Sequence, residues 1–242
     1  MRISILLLFL CVPVIAHSQE IGGKPKNELE PNLSFSLNSN GFAPIPSFSL
    51  DKPALIASVN LGKGRFSYDP TLAYSLELKP WFIDNWLHYK IVARPKFDLR
   101  AGMNISTFCS EFTVNDDEFM RAERYFAFAM AGTYKFTPVS ALTLDYWNDN
   151  GQEKGSLSGH FISLVYDRSE MKLGEKALSG IRVMLFYINY DGDNDGLFVS
   201  PTVSFSVRNI PASLFFQATQ AIQTNISPQP GFRWNVGISY DL

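Results

Sequence analysis

Cysteine is nearly absent from this chain. Its 242 residues hold two, Cys11 and Cys109, and Cys11 lies inside an apolar run at the N-terminus. If that run is removed, Cys109 stands alone, which excludes an internal disulfide framework and a paired-cysteine metal site. Histidine is scarce as well: His88 and His160 are the only ones beyond residue 17. An excess of either charge is also missing. The balance of 21 Lys and Arg against 23 Asp and Glu leaves a net −2, which gives no reason to invoke nucleic acid as a partner. After the N-terminal run, no stretch of about 18 apolar residues remains to form a membrane-spanning helix. Helical periodicity is almost wholly lacking. What the chain does have is 20 Phe, 10 Tyr and a persistent period of two.

The N-terminus carries the marks of export. Arg2 gives a short positive start, "ISILLLFLCVPVI" is an apolar run of signal-peptide length, and Ala16 and Ser18 supply small residues before a cut. The expected cleavage follows Ser18, so residues 1–18 read as a signal peptide. Leu10 before Cys11 argues against a lipoprotein. Residues 19–30 form a polar segment, and 31–242 read as one domain.

Alternation dominates that domain. "LHYKIVARPKFDLRAGM" (87–103) sets Leu87, Tyr89, Ile91, Phe97, Leu99 and Met103 against His88, Lys90, Arg94, Lys96, Asp98 and Arg100, with only Val92 out of phase. "GRFSYDPTLAYSLELK" sets Phe66, Tyr68, Leu72 and Tyr74 against Arg65, Asp69, Thr71 and Glu77. The same scheme recurs in "RYFAFAMAGTYKF", "LFVSPTVSFSVR" and "FRWNVGISYDL". Two environments produce such strands: a soluble β protein with its apolar face in a core, or an outer-membrane barrel with that face on lipid and a wet lumen inside. Long aromatic rows opposite rows of Ser, Thr, Ala and Gly favour the barrel. A sheet in hydrocarbon must close, because free N–H and C=O groups there have no water to bind.

Turn signals give about twelve antiparallel up-and-down strands, with ten as the alternative. "NLSFSLN", "PSFSLD" and "ALIASVNL" count as the first three, and 87–103 as one long strand after a turn around 80–86. The segments 104–119, 147–159, 189–196 and 224–231 read as loops on one side. "TPVS", "NIPAS" and 167–180 read as turns on the other.

The signal peptide, the alternation and the terminal strand resemble outer-membrane β-barrel proteins over nearly the whole mature chain. "PIPSFSLDKPA" and "KPWFIDNW" are similar to stretches of small barrels of the Bacteroidota. The resemblance implies residence in the outer membrane, contact with its lipids and lipopolysaccharide, and insertion by the assembly machinery. That machinery reads a terminal aromatic in the general family. Here the last residue is Leu242, with Tyr240 two positions earlier. No activity comes with the resemblance.

The charges expected along the lumen are Arg65, Asp69, Glu77, Lys90, Arg94, Lys96, Arg100, Glu123 and Asp145. The first reading is an internal salt-bridge network with Glu77 near Lys90 and Asp69 near Lys96, since buried charges need partners. The alternative is a passage favouring small anions, because Arg and Lys in a pore attract them. "DGDNDG" gives a second candidate: Asp191, Asp193 and Asp195 before Gly196 have the spacing that opens a calcium loop. Thr202 stands where a full loop needs Glu, so the expectation is at most weakly bound calcium, and otherwise an acidic hairpin tip. No other cofactor is expected.

Trp81, Trp86, Tyr89, Tyr146 and Trp147 are expected to anchor the barrel at the membrane interfaces. His88 and His160 fall on opposite strand faces, and no G-x-S-x-G or H-E-x-x-H is present, so an enzyme is not expected. The reading is a non-enzymatic barrel with a structural or narrow-passage role and a charged, partly plugged lumen. A small-anion channel stands second and a surface lipid-modifying enzyme third.

Overall fold

A computed structural model describes residues 29–242 except Asp193 and Pro228. The signal segment therefore lies outside the described residues, as does most of the polar segment after it. Twelve strands form one closed antiparallel barrel, each paired with its sequence neighbours and the last paired with the first. They are β1 (Glu30–Asn38), β2 (Ala54–Lys63), β3 (Phe66–Ser75), β4 (Pro80–Ala93), β5 (Phe97–Val114) and β6 (Asp117–Thr137). The second half comprises β7 (Ser140–Gly151), β8 (Ser158–Lys172), β9 (Ala177–Tyr190), β10 (Asn194–Val207), β11 (Ala212–Thr224) and β12 (Arg233–Asp241). Among the described residues, no helix is long and apolar enough to cross a membrane.

The apolar rows point outward. Phe126, Phe128, Met130 and Tyr134 of β6 are exposed on the barrel's outside, while Tyr125, Ala127 and Ala131 between them are buried. Leu214, Phe216, Trp234, Ile238 and Tyr240 continue the outer belt across β11 and β12. A belt of this kind is unfavourable against water and suits acyl chains. Inside, hydroxyls meet across neighbouring strands, as in Thr133–Thr143 at 2.9 Å and Ser58–Thr71 at 3.1 Å. This transmembrane barrel has the strand number expected from the sequence.

The membership of those twelve differs at two places. The segment 87–103 is a hairpin, not one strand: β4 ends at Ala93, β5 begins at Phe97, and Arg94 and Phe97 exchange backbone hydrogen bonds at 2.9 and 3.3 Å. Pro95, with no N–H to give a ladder, sits in the turn. Alternation runs through because odd residues pair with odd ones, Leu87 with Met103 and Tyr89 with Ala101. The register slips between Lys90 and Val92, so the one residue out of phase in the sequence marks the bulge.

The second difference is "PSFSLD", which is no strand. Residues 39–53 connect β1 to β2 and fold into the barrel, with a 3-10 turn at Pro46–Phe48. Pro44, Pro46 and Pro53 deny the segment the donors of a ladder. Phe48 packs on Phe108 at 5.0 Å and on Tyr125 at 5.1 Å between ring centroids, and Ile45 is buried against Phe161, Phe186 and Phe198. The Trp81 indole donates to the Phe48 carbonyl at 2.8 Å. Gly41 allows this closeness, since a Cβ there would stand 2.9 Å from the Trp81 ring.

The connections sort into two ends. Short turns at 64–65, 94–96, 138–139, 173–176 and 208–211 share an end with the start of β1 and the close of β12, the periplasmic end of such barrels. The plug enters from the opposite end. Most of 104–119 is strand there, not loop. β5 and β6 run on to a tip at Asn115 and Asp116, whose positive φ of 52° and 69° makes a tight hairpin turn. Strands likewise fill much of 167–180.

Candidate functional site

Cross-strand rows place the interior side chains. One row runs Lys90, Arg100, Ala131, Asp145 from β4 to β7. The next runs His88, Gly102, Ala129, Trp147, and the third Trp86, Asn104, Ala127, Asp149. Small residues on β5 and β6 make a shallow floor between the larger groups of β4 and β7. Over that floor Trp86 and Trp147 stack, centroids 5.6 Å apart and planes 19° from parallel. His88 extends the stack beneath Trp86 at 5.4 Å. It needs Gly102 for this, because a Cβ at 102 would lie 2.5 Å from the imidazole.

The two indoles separate two cavities, each of about 240 Å³. On the short-turn side the walls are His88, Arg100, Gly102, Ala131 and Asp145. The His88 Nδ1 meets the Asp69 carboxylate at 2.6 Å, and Ser67 donates to Asp69 at 3.0 Å. Lys135–Asp98 at 2.5 Å and Arg182–Asp167 at 3.2 Å close further pairs towards that end. On the plug side the cavity is walled by Phe48, Trp81, Phe108, Tyr125 and the two stacked indoles, and Asp84 and Asp149 are its carboxylates.

The charges expected in the lumen divide. Asp69, Lys90, Arg100, Glu123 and Asp145 face inward, with Glu123 held by Arg121 at 2.6 Å and by Ser156 at 2.7 Å. Arg94 and Lys96 do not: they lie in the 94–96 turn. Glu77 is in the 76–79 turn at the other end, 3.9 Å from Lys79. Arg65 stands at the rim and donates to the Ile91 carbonyl at 3.0 Å. Neither expected pair forms, because the β3–β4 turn is at 76–79 and not at 80–86. Asp69 therefore meets His88 and not Lys96, and Lys90 is opposite Arg100.

Three of the expected anchors are corrected as well. Trp81, Trp86 and Trp147 face the interior, whereas Tyr89 and Tyr146 are on the outside. Trp86 shares the parity of His88 and Lys90, so the alternation itself carried the signal. Asp84 and Asp149 were missed for the same reason, lying in the polar rows of their strands.

At the loop end, Lys79 reaches Glu111 and Glu118, each at 3.0 Å, and Lys52 of the plug reaches Glu111 at 3.1 Å. Hydrogen bonds that it donates to Glu118 and Glu111 push the Lys79 ammonium above the usual lysine range. Arg124 holds Glu153, in the 152–157 loop, below the ordinary carboxylate range. In the acidic hairpin, Asp193 lies outside the described residues. Asp191 accepts the Ser158 N–H at 3.1 Å and Asp195 accepts the Tyr187 hydroxyl at 3.1 Å, so both carboxylates have neighbours of their own. His160 is outside with Tyr146 at 2.9 Å, and His88 is inside, so the two histidines do not share a site.

No family model and no curated protein matches the chain. Solved structures do. A KdgM porin superposes with a TM-score of 0.55 at 9% identity, covering 86% of this chain and 98% of that one. A KdgM porin in complex with disordered oligogalacturonate gives 0.52 at 8%, covering 87% and 97%. At such identities the likeness is one of fold: that of an outer-membrane β-barrel.

Proposed function

We propose that the protein is a non-enzymatic barrel of the outer membrane that forms a narrow, gated passage favouring small anions. The observation that supports this most is the Lys90–Arg100 pair. These cations stand directly opposite each other on neighbouring strands, an arrangement that costs stability. Among the described residues neither has an ion-pair partner. Asp145, two strands beyond Arg100, is the nearest carboxylate in the row and offsets only part of the charge. A small anion beside the pair would relieve the repulsion, and lumenal Arg and Lys favour anionic solutes in pores. The KdgM neighbour solved with oligogalacturonate supports an acidic solute. The plug at 39–53 supplies the gate, and export through cleavage after Ser18 belongs to the same reading.

Planar-bilayer recordings under a KCl gradient test the proposal. The refolded protein should show an anion-favouring reversal potential, and Lys90→Gln with Arg100→Gln should abolish that preference. An unchanged reversal potential in the double variant counts against it. A second reading, a purely structural barrel, is favoured by the packing of plug and aromatic residues through the loop-side half of the lumen. Absence of unitary currents even after deletion of 42–50 would decide for that reading.

A further inference from the structure

We propose that the plug-side cavity binds a small organic cation of the alkylammonium class. The cavity of about 240 Å³ lies between the inward-folded segment and the Trp86–Trp147 stack, on the side away from Lys90 and Arg100. Its size falls below the 300–1,000 Å³ or so of drug-sized pockets, which restricts the occupant to a small solute. Two properties of the wall then define the chemistry.

The first is the aromatic lining. Trp81, Trp86 and Trp147 border the void together with Phe48, Phe108 and Tyr125. Ring faces attract a cation, indole most strongly, and they do so best where water is displaced. The second is the pair of carboxylates. Among the described residues Asp84 accepts one side-chain hydrogen bond, from Asn104 at 3.3 Å, and Asp149 one, from the Tyr190 hydroxyl at 3.4 Å. Both bonds are long, and an ionised carboxylate offers about four acceptor sites. Among the described residues no cationic side chain lines this cavity, and carboxylates removed from water keep their charge only beside a positive partner. Trp147 adds a buried indole N–H with no acceptor among the described residues, suited to a hydroxyl on the same ligand. An alkylammonium satisfies rings and carboxylates together. A metal ion would use the carboxylates and leave the rings without a role.

The plug contributes Phe42, Ile45 and Phe48 to this cavity, so an occupant would also hold the gate shut. The site does not rest on conduction. A barrel that passes no ions could bind the same ligand, and the two proposals fail separately.

The test uses the full chain refolded with and without choline, so that entry past the plug does not decide the result. Tryptophan fluorescence follows titration with choline, with its uncharged tert-butyl isostere and with KCl. Choline should bind saturably and at least ~10-fold more tightly than the isostere, the scale of a desolvated cation–π contact. Asp84→Asn and Asp149→Asn should each weaken choline by roughly 10-fold and leave the isostere unaffected. Equal binding of choline and isostere, no saturable binding, or unchanged affinity in both variants would overturn the proposal. If a carboxamide variant fails to refold, judged by heat-modifiable gel mobility, the choline-against-isostere comparison on the unaltered chain decides alone.

Discussion

Trp86 on β4 and Trp147 on β7 stack at 5.6 Å although two strands separate them. Adjacent strands lie about 4.8 Å apart, so the indoles meet only by reaching across β5 and β6. Gly102, Asn104, Ala127 and Ala129 beneath them leave the room. Two indoles this close and nearly parallel should couple optically. The refolded protein is expected to show an exciton couplet in far-ultraviolet circular dichroism. Trp86→Phe and Trp147→Phe should each remove it, whereas Trp234→Phe should leave it intact.

Gly102 lets His88 lie flat between Trp86 and Asp69. In Gly102→Ala the new methyl would meet the imidazole at 2.5 Å, and backbone on a paired strand has little freedom to retreat. Overpacking of this kind costs about 1–3 kcal/mol. The urea midpoint of the detergent-folded barrel should fall accordingly. Gly64→Ala, at a turn where no atom lies within 4 Å of the added carbon, costs less through packing and acts only through its positive φ.

Phe48 ties the plug to the barrel wall through both its ring and its carbonyl. Its ring touches Phe108 and Tyr125, and its carbonyl receives the Trp81 indole. Phe48→Ala keeps that carbonyl and removes the ring. For a half-buried side chain the loss is up to about 3 kcal/mol, the low end for Phe truncation. Segment 39–53 should then become cleavable by added protease while the barrel keeps its heat-modifiable mobility. Equal resistance in the variant would mean that the ring does not hold the plug.

Much of this architecture was legible in the sequence, and the exceptions have physical causes. Period-two alternation identified the lipid-facing rows because lipid selects them uniformly along the barrel. Val92 even marked a bulge. Alternation could not reveal where the chain turns within 87–103, since a bulge kept both arms of the hairpin in phase. It also failed on β9, where "IRVMLFYI" is apolar on both faces. Phe186 and Ile188 there pack against Phe161, Phe198 and the plug's Ile45, so this part of the lumen is dry and its inner row is as apolar as its outer one. The plug itself mimicked a strand through "PSFSLD", and only its prolines spoke against it. The cavity carboxylates Asp84 and Asp149 looked like ordinary members of polar rows. Their significance comes from aromatic neighbours contributed by β5, β6 and the plug, which no local pattern reports.

The orientation of the strands sets the greasy rows against acyl chains and turns the other rows into an enclosed lumen. The four tryptophans test it most directly, because three face inward and Trp234, 51% exposed, faces out. Single-tryptophan variants reconstituted in bilayers of brominated lipids should show strong quenching for Trp234 and little for Trp81, Trp86 or Trp147. Quenching of the three interior indoles with Trp234 spared would reverse the barrel's faces and contradict the account.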